Sequence, residues 1–167
     1  MHPRWLTLCG TMLATGMFNA ERLKPRLLAT TFFAGRAVMR GSYPNAQDIP
    51  AHIDAYIGRL KTDVPHWQEV ALAFVGEKLR ENGVLKEITY ELIARTPANV
   101  RLFLFTKDIA MMRVVEKCQF QRITRAAMPD VEAWARNVGC WDRLPDSAFL
   151  TDTPLAVAGE RQLFVRG

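Results

Sequence analysis

The sequence predicts an α/β domain with a mixed central sheet flanked by helices, and three observations carry that expectation. The run 99–106 (NVRLFLFT) is continuously apolar between turn residues, the pattern of a strand buried on both faces. Segments on either side of it carry apolar residues three and four apart, as amphipathic helices do. A chain of 167 residues, 49% hydrophobic and 23% charged, is the size of one domain, 1–167, and can bury a substantial core.

The elements follow in chain order. Residues 5–19 are apolar with small residues interspersed and predict a first helix packed on the core. Arg26–Ser42 (RLLATTFFAGRAVMRGS) admits two readings, two short strands joined at Gly35 or a helix from near Asn19 to Gly35. Leu23, Leu27, Leu28 and Phe32 keep better helical phase, so a helical N-terminal element over about 5–34 is expected. After the turn-rich GSYPNAQDIP, the segment DIPAHIDAYIGRLK sets Ile49, Ile53, Tyr56, Ile57 and Leu60 at helical spacing. Pro50 suits the first turn and Asp48 the cap, so a helix is predicted there.

Thr62–Gly83 is ambiguous. It reads as a helix from Pro65 presenting Trp67, Val70, Ala71, Phe74, Val75 and Leu79, or as a buried strand over Glu69–Gly76. Val84–Thr96 predicts a helix with Leu85, Ile88, Leu92 and Ile93 on one face. Beyond the central strand, Asp108 is placed to cap a helix through about Lys117, with Met111, Met112, Val114 and Val115 available to the core. Phe120–Thr124 reads as a short strand, and Pro129-Asp130 opens another helix that Gly139 stops. PLAVAG and RQLFVRG resemble a closing pair of strands.

Charge and cysteine usage narrow the function classes. A net charge of +5 favours anionic partners such as nucleotide phosphates, coenzyme A or nucleic acid. The Lys and Arg residues are scattered, so nothing beyond net charge supports nucleic acid. Cys9, Cys118 and Cys140 and the isolated His2, His52 and His66 have no metal-ligand spacing; free thiols in a cytoplasmic, reducing compartment are expected. The first 21 residues faintly resemble a secretory leader, but Phe18 occupies the position where cleavage after Ala20 would want a small residue. No apolar run approaches 18 residues, so no transmembrane span is expected.

The stretch TKDIAMMRVVEKCQFQRI (106–123) resembles the closing motif of GNAT-fold acetyltransferases, in which a strand leads to a helix of the form N-x-x-A-x-x-x-Y-E-K-x-G-F and then another strand. Glu116, Lys117 and Phe120 match, and Asp108 stands where the family has Asn. Upstream, Arg80-Glu81-Asn82-Gly83-Val84-Leu85 is similar to the family's R/Q-x-x-G-x-G/A loop, which offers backbone N–H groups to the coenzyme A pyrophosphate at a helix N-terminus. The resemblance covers about residues 66–124. It implies acetyl-CoA or another acyl-CoA as co-substrate, an amine-bearing small molecule or protein as acceptor, and cofactor contacts at Arg80–Leu85 and Asp108. It leaves a homodimer open.

The sequence departs from the family at Val115, where many members place a tyrosine general acid, at Gln119 in place of Gly, and at Leu85 in place of a small residue. The family's three-strand meander before the loop also finds only Arg26–Ser42 and Glu69–Val75 to supply it, with the predicted helix between them.

Candidate chemistry has a plain structural reading beside each functional one. Glu69 or Glu77 would serve as general base for an amine, or be a solvated glutamate. Tyr90 would stand in for the missing acid, or pack at the core edge. His66 is a base or a turn residue, Cys118 a nucleophile or a buried thiol, and Met111-Met112 an acyl pocket or core filler. Trp141, Asp142, Arg143 and Asp146 in Gly139–Pro154 would recognise a cationic substrate or belong to a pinned surface loop. The competing function is a non-catalytic α/β scaffold that binds a protein or nucleic-acid partner.

Overall fold

The computed structural model describes residues 26–35, 37–41, 52–124, 126–140 and 162–167. Among them are β1 (Leu27–Ala34), β2 (Ala37–Gly41), β3 (Ala55–Lys61), β4 (Trp67–Val75), α1 (Val84–Ala94), β5 (Arg101–Thr106), α2 (Ile109–Lys117), β6 (Gln121–Ile123), α3 (Val131–Asn137) and β7 (Gln162–Arg166). The seven strands form one mixed sheet in the order β2-β1-β3-β4-β5-β7-β6. The pairs β1–β2, β1–β3, β5–β7 and β6–β7 are antiparallel, whereas β4 and β5 run parallel. The α/β class with a mixed sheet is therefore as the sequence predicts. The chain divides into two compact units, Met1–Leu60 with Ala71–Arg95 and Lys61–Val70 with Thr96–Gly167, and the division falls within β4.

In the first unit, Leu27–Ala34 is a strand and not the end of a helix, which corrects the helical element over 5–34 for its described residues. Residues 5–25 of that element lie outside the described residues. Gly35, at φ +63°, turns β1 into β2, and a left-handed backbone there suits glycine. The predicted helix over Asp48–Lys61 is likewise corrected: from Ala55 to Lys61 the chain is strand β3, and Asp48–Ala51 lie outside the described residues. The helical spacing misled because Ala55 and Gly58 are small and equally buried. Ala55, Tyr56, Ile57 and Gly58 together leave no exposed face to set a period. Four strands thus precede the Arg80–Leu85 loop.

Tyr56 stacks on Phe74 at 5.3 Å between ring centroids, and both pack with Phe32 and Ile53. At the mouth of this layer Asp54 donates its N–H to Phe33 O (2.9 Å), and its own O accepts from Gly76 N at 2.8 Å. A Cβ at Gly76 would stand 2.9 Å from that Asp54 oxygen, so the close approach excludes a side chain. Helix α1 lies against β1 and β2 through a face that buries Val84, Ile88, Thr89 and Leu92. Thr89 is tolerated inside because its hydroxyl donates to Leu85 O at 2.6 Å. Arg59 reaches from β3 to donate to Arg95 O at 3.1 Å, setting a guanidinium on the negative end of the α1 dipole. Burial lowers its pKa from the ordinary arginine value.

In the second unit, β5 buries Leu102, Phe103 and Leu104, as its continuous apolarity predicts. Asp108 Oδ1 accepts from Met111 N at 3.0 Å and so caps α2, whose buried face is Met111, Met112 and Val115. RQLFVRG forms β7 as expected, but its partners are β5 and β6; PLAVAG lies outside the described residues.

Helices α2 and α3 end in the same way. Phe120 N bonds Val115 O (2.9 Å) and Gln119 N bonds Glu116 O (3.0 Å); Cys140 N bonds Ala135 O (2.9 Å) and Gly139 N bonds Arg136 O (3.2 Å). These are Schellman caps, which want a left-handed residue just past the helix. Gly139 supplies it at φ +74°, and Gln119 adopts it at φ +67° despite its Cβ. The residue that the GNAT resemblance would make Gly is thus a cap position. Gln119→Gly is expected to stabilise the fold by about 1 kcal/mol, the left-handed penalty of a side chain less the chain entropy of glycine. The test is the urea midpoint, which should rise with an unchanged slope.

Candidate functional site

The loop before α1 is built by turn chemistry. A 3-10 turn at Glu77–Leu79 follows β4, Arg80 is extended, and Glu81 and Gly83 are both left-handed, at φ +68° and +76°. The Asn82 side chain holds the turn by donating to Arg80 O at 3.1 Å. Trp67–Val75 being a strand, the loop has the strand-then-helix setting that the resemblance requires. No side chain caps α1, and its first internal bond runs from Glu87 N to Gly83 O at 3.1 Å. The N–H groups of Gly83, Val84, Leu85 and Lys86 have no acceptor among the described residues. Four open donors on the positive end of a helix dipole form a cradle for an anion. Against it stand Glu81, exposed and negative, and the half-buried Leu85 side chain.

Glu69 is where structure and sequence part most. The expected solvated glutamate is 3% exposed, near the start of β4 and opposite Phe103 of β5. Glu77, the other candidate base, is exposed. The parallel register runs Trp67↔Arg101, Gln68↔Leu102 and Glu69↔Phe103 and goes no further, although β5 continues to Thr106.

The remaining candidates are accounted for one by one. Tyr90 is 45% exposed on α1, with Lys86 Nζ 5.6 Å over its ring. It stands roughly 9 Å of helix rise beyond Val84. Asp108 is exposed and engaged as a helix cap, a sufficient structural role without a cofactor. Val115 is fully buried and carries no acid. Cys118 is a buried thiol at the end of α2, Met111 and Met112 are core residues, and His66 is an exposed turn residue. Trp141, Asp142, Arg143 and Asp146 lie outside the described residues. The structure keeps Arg80–Leu85 and Tyr90 in the first unit and Glu69 and Asp108 in the second.

Among the described residues no group of three His, Cys, Asp or Glu side chains could hold a metal ion, and no helix is long and apolar enough to cross a membrane. Sequence reasoning missed a surface pocket of about 250 Å³ lined by Arg101, Gln119, Gln121, Val165, Arg166 and Gly167. Its arginines are 65 positions apart, and no local pattern links them. No family model, curated protein or solved structure matches the chain.

Proposed function

We propose that the chain is a divergent GNAT-like protein that moves an acetyl or other acyl group from acyl-CoA to an amine. The observation that carries this reading is the loop Arg80–Gly83 with four acceptor-free N–H groups at the start of α1, in the strand–loop–helix order that the resemblance calls for.

Acyl-CoA would bring an activated thioester. The amine nitrogen bonds to the carbonyl carbon, the carbon–sulfur bond breaks, and the thiolate leaves. Gly83–Lys86 would hold the pyrophosphate, with the Arg80 side chain available to it. Glu69 would take the proton of the ammonium through water, since only the free amine is nucleophilic. Tyr90 is the candidate proton donor to the thiolate, and its exposure lets water serve as well.

Val115, a buried aliphatic side chain where many GNAT members place an acid, favours the second reading of a non-catalytic scaffold. Acetyl-CoA at about 1 mM separates the two. A ligand a hundredfold above its dissociation constant adds about 2.7 kcal/mol to stability. For a chain of this size that raises the melting temperature by roughly 5–10 °C. No rise at that concentration would remove the acyl-transfer reading.

A further inference from the structure

The structure assigns a second anion site, independent of the acyl-CoA reading, to the pocket at the end of β7: we propose that Arg101 and Arg166 together bind a small oxyanion group, a phosphate or a carboxylate. All six lining residues belong to the second unit, and none comes from Arg80–Leu85.

The strand register brings two distant arginines to the same end of the β5–β7 pair. Leu102 is opposite Arg166, and Phe103 opposite Val165, which is itself opposite Gln121 of β6. Because side chains alternate along a strand, Arg101 lies on the sheet face of Val165 and Gln121, and Arg166 on the other face. Both nevertheless line the same pocket at the strand end, beside Gly167. The fit there is close: a Cβ on Gly167 would stand 3.0 Å from Arg101 Cγ.

Each guanidinium is held by a contact that leaves its donors in reach. Arg166 donates Nε to Cys118 O at 3.2 Å, which leaves the two terminal nitrogens. Arg101 lies over the Trp67 ring at 5.6 Å, a stacking contact that uses the face of the fork and leaves its N–H edges. Neither has a carboxylate partner among the described residues. Two guanidinium forks lining one pocket suit a planar or tetrahedral oxyanion. Gln119 and Gln121 add neutral amide donors to the lining. The volume of about 250 Å³ is below the span of drug-sized pockets, so the site takes an ion or the anionic end of a larger molecule.

The test is an amide NMR titration of the full chain with inorganic phosphate, with acetate, and with chloride at matched ionic strength. Saturable shifts confined to Gln119, Gln121, Arg166 and Gly167 are expected from phosphate or acetate, and which of the two binds tighter distinguishes the sources. R101Q and R166Q should each weaken binding about tenfold or more, the loss of one charge-assisted contact. R166Q also loses the Cys118 bond, so a thermal melt checks its fold; R101Q, at an exposed position, tests the site in any case. Shifts that chloride reproduces, shifts that do not saturate, or an R101Q variant that binds like the parent would overturn the proposal.

Discussion

Phe103→Ala is expected to remove about 3–5 kcal/mol of stability, a large share of the 5–15 kcal/mol typical of a whole domain. The Phe103 ring is fully buried and forms edge-to-face contacts with Trp67 at 6.1 Å, Trp134 at 5.0 Å and Phe105 at 6.0 Å. Val131, Ala135, Val138 and Leu163 close the same cluster, all with no exposed surface. Truncation removes the ring's burial and leaves a cavity between elements that cannot collapse, because β5 is tied to β4 on one edge and β7 on the other. Phe103→Leu keeps most of the volume and should lose less than about 1.5 kcal/mol. Urea unfolding of the two variants decides the point; an alanine variant that matched the leucine one would mean that the cluster repacks and the aromatic contacts carry little.

What could be read in the sequence depended on whether burial left a period. The strand β5 was legible because turn residues bound a run with no polar break, and α1 and α2 because each keeps one wet face. β3 was not, since a strand buried on both sides by alanine, glycine and large residues shows the same spacing as a helix. The N-terminal phase argument failed similarly for Leu27–Ala34, where Thr30 and Thr31 are buried with Phe32 and Phe33.

The chemistry was legible unevenly for a different reason. The loop Arg80–Leu85 is contiguous, so a turn leading into a helix could be read from its letters, whereas the Arg101–Arg166 pocket exists only through the β5–β7 register. Gln119 looked like a lost functional letter, and its backbone shows a lost glycine cap instead.

On the proposed acyl-transfer function, Glu69→Gln should reduce turnover about 100-fold or more while leaving the fold in place. A carboxylate that is 3% exposed within a sheet is disfavoured by desolvation unless a partner or a function retains it. Glu69 does have a partner in the structure, so a structural role and a catalytic one predict different outcomes. If the charge serves only the fold, its removal breaks a buried interaction and lowers stability by a few kcal/mol, with activity falling only as folded protein is lost. If it accepts the ammonium proton, the isosteric amide keeps the packing and the KM for acyl-CoA but lowers kcat. Glu69→Asp separates the cases further, since it keeps the charge and withdraws it by one methylene. The readout is thiol released from acetyl-CoA across a panel of primary amines, with melting curves run on the same samples. A Gln variant that folds and turns over like the parent would end the assignment of Glu69 as base, whatever acetyl-CoA does to the melting temperature.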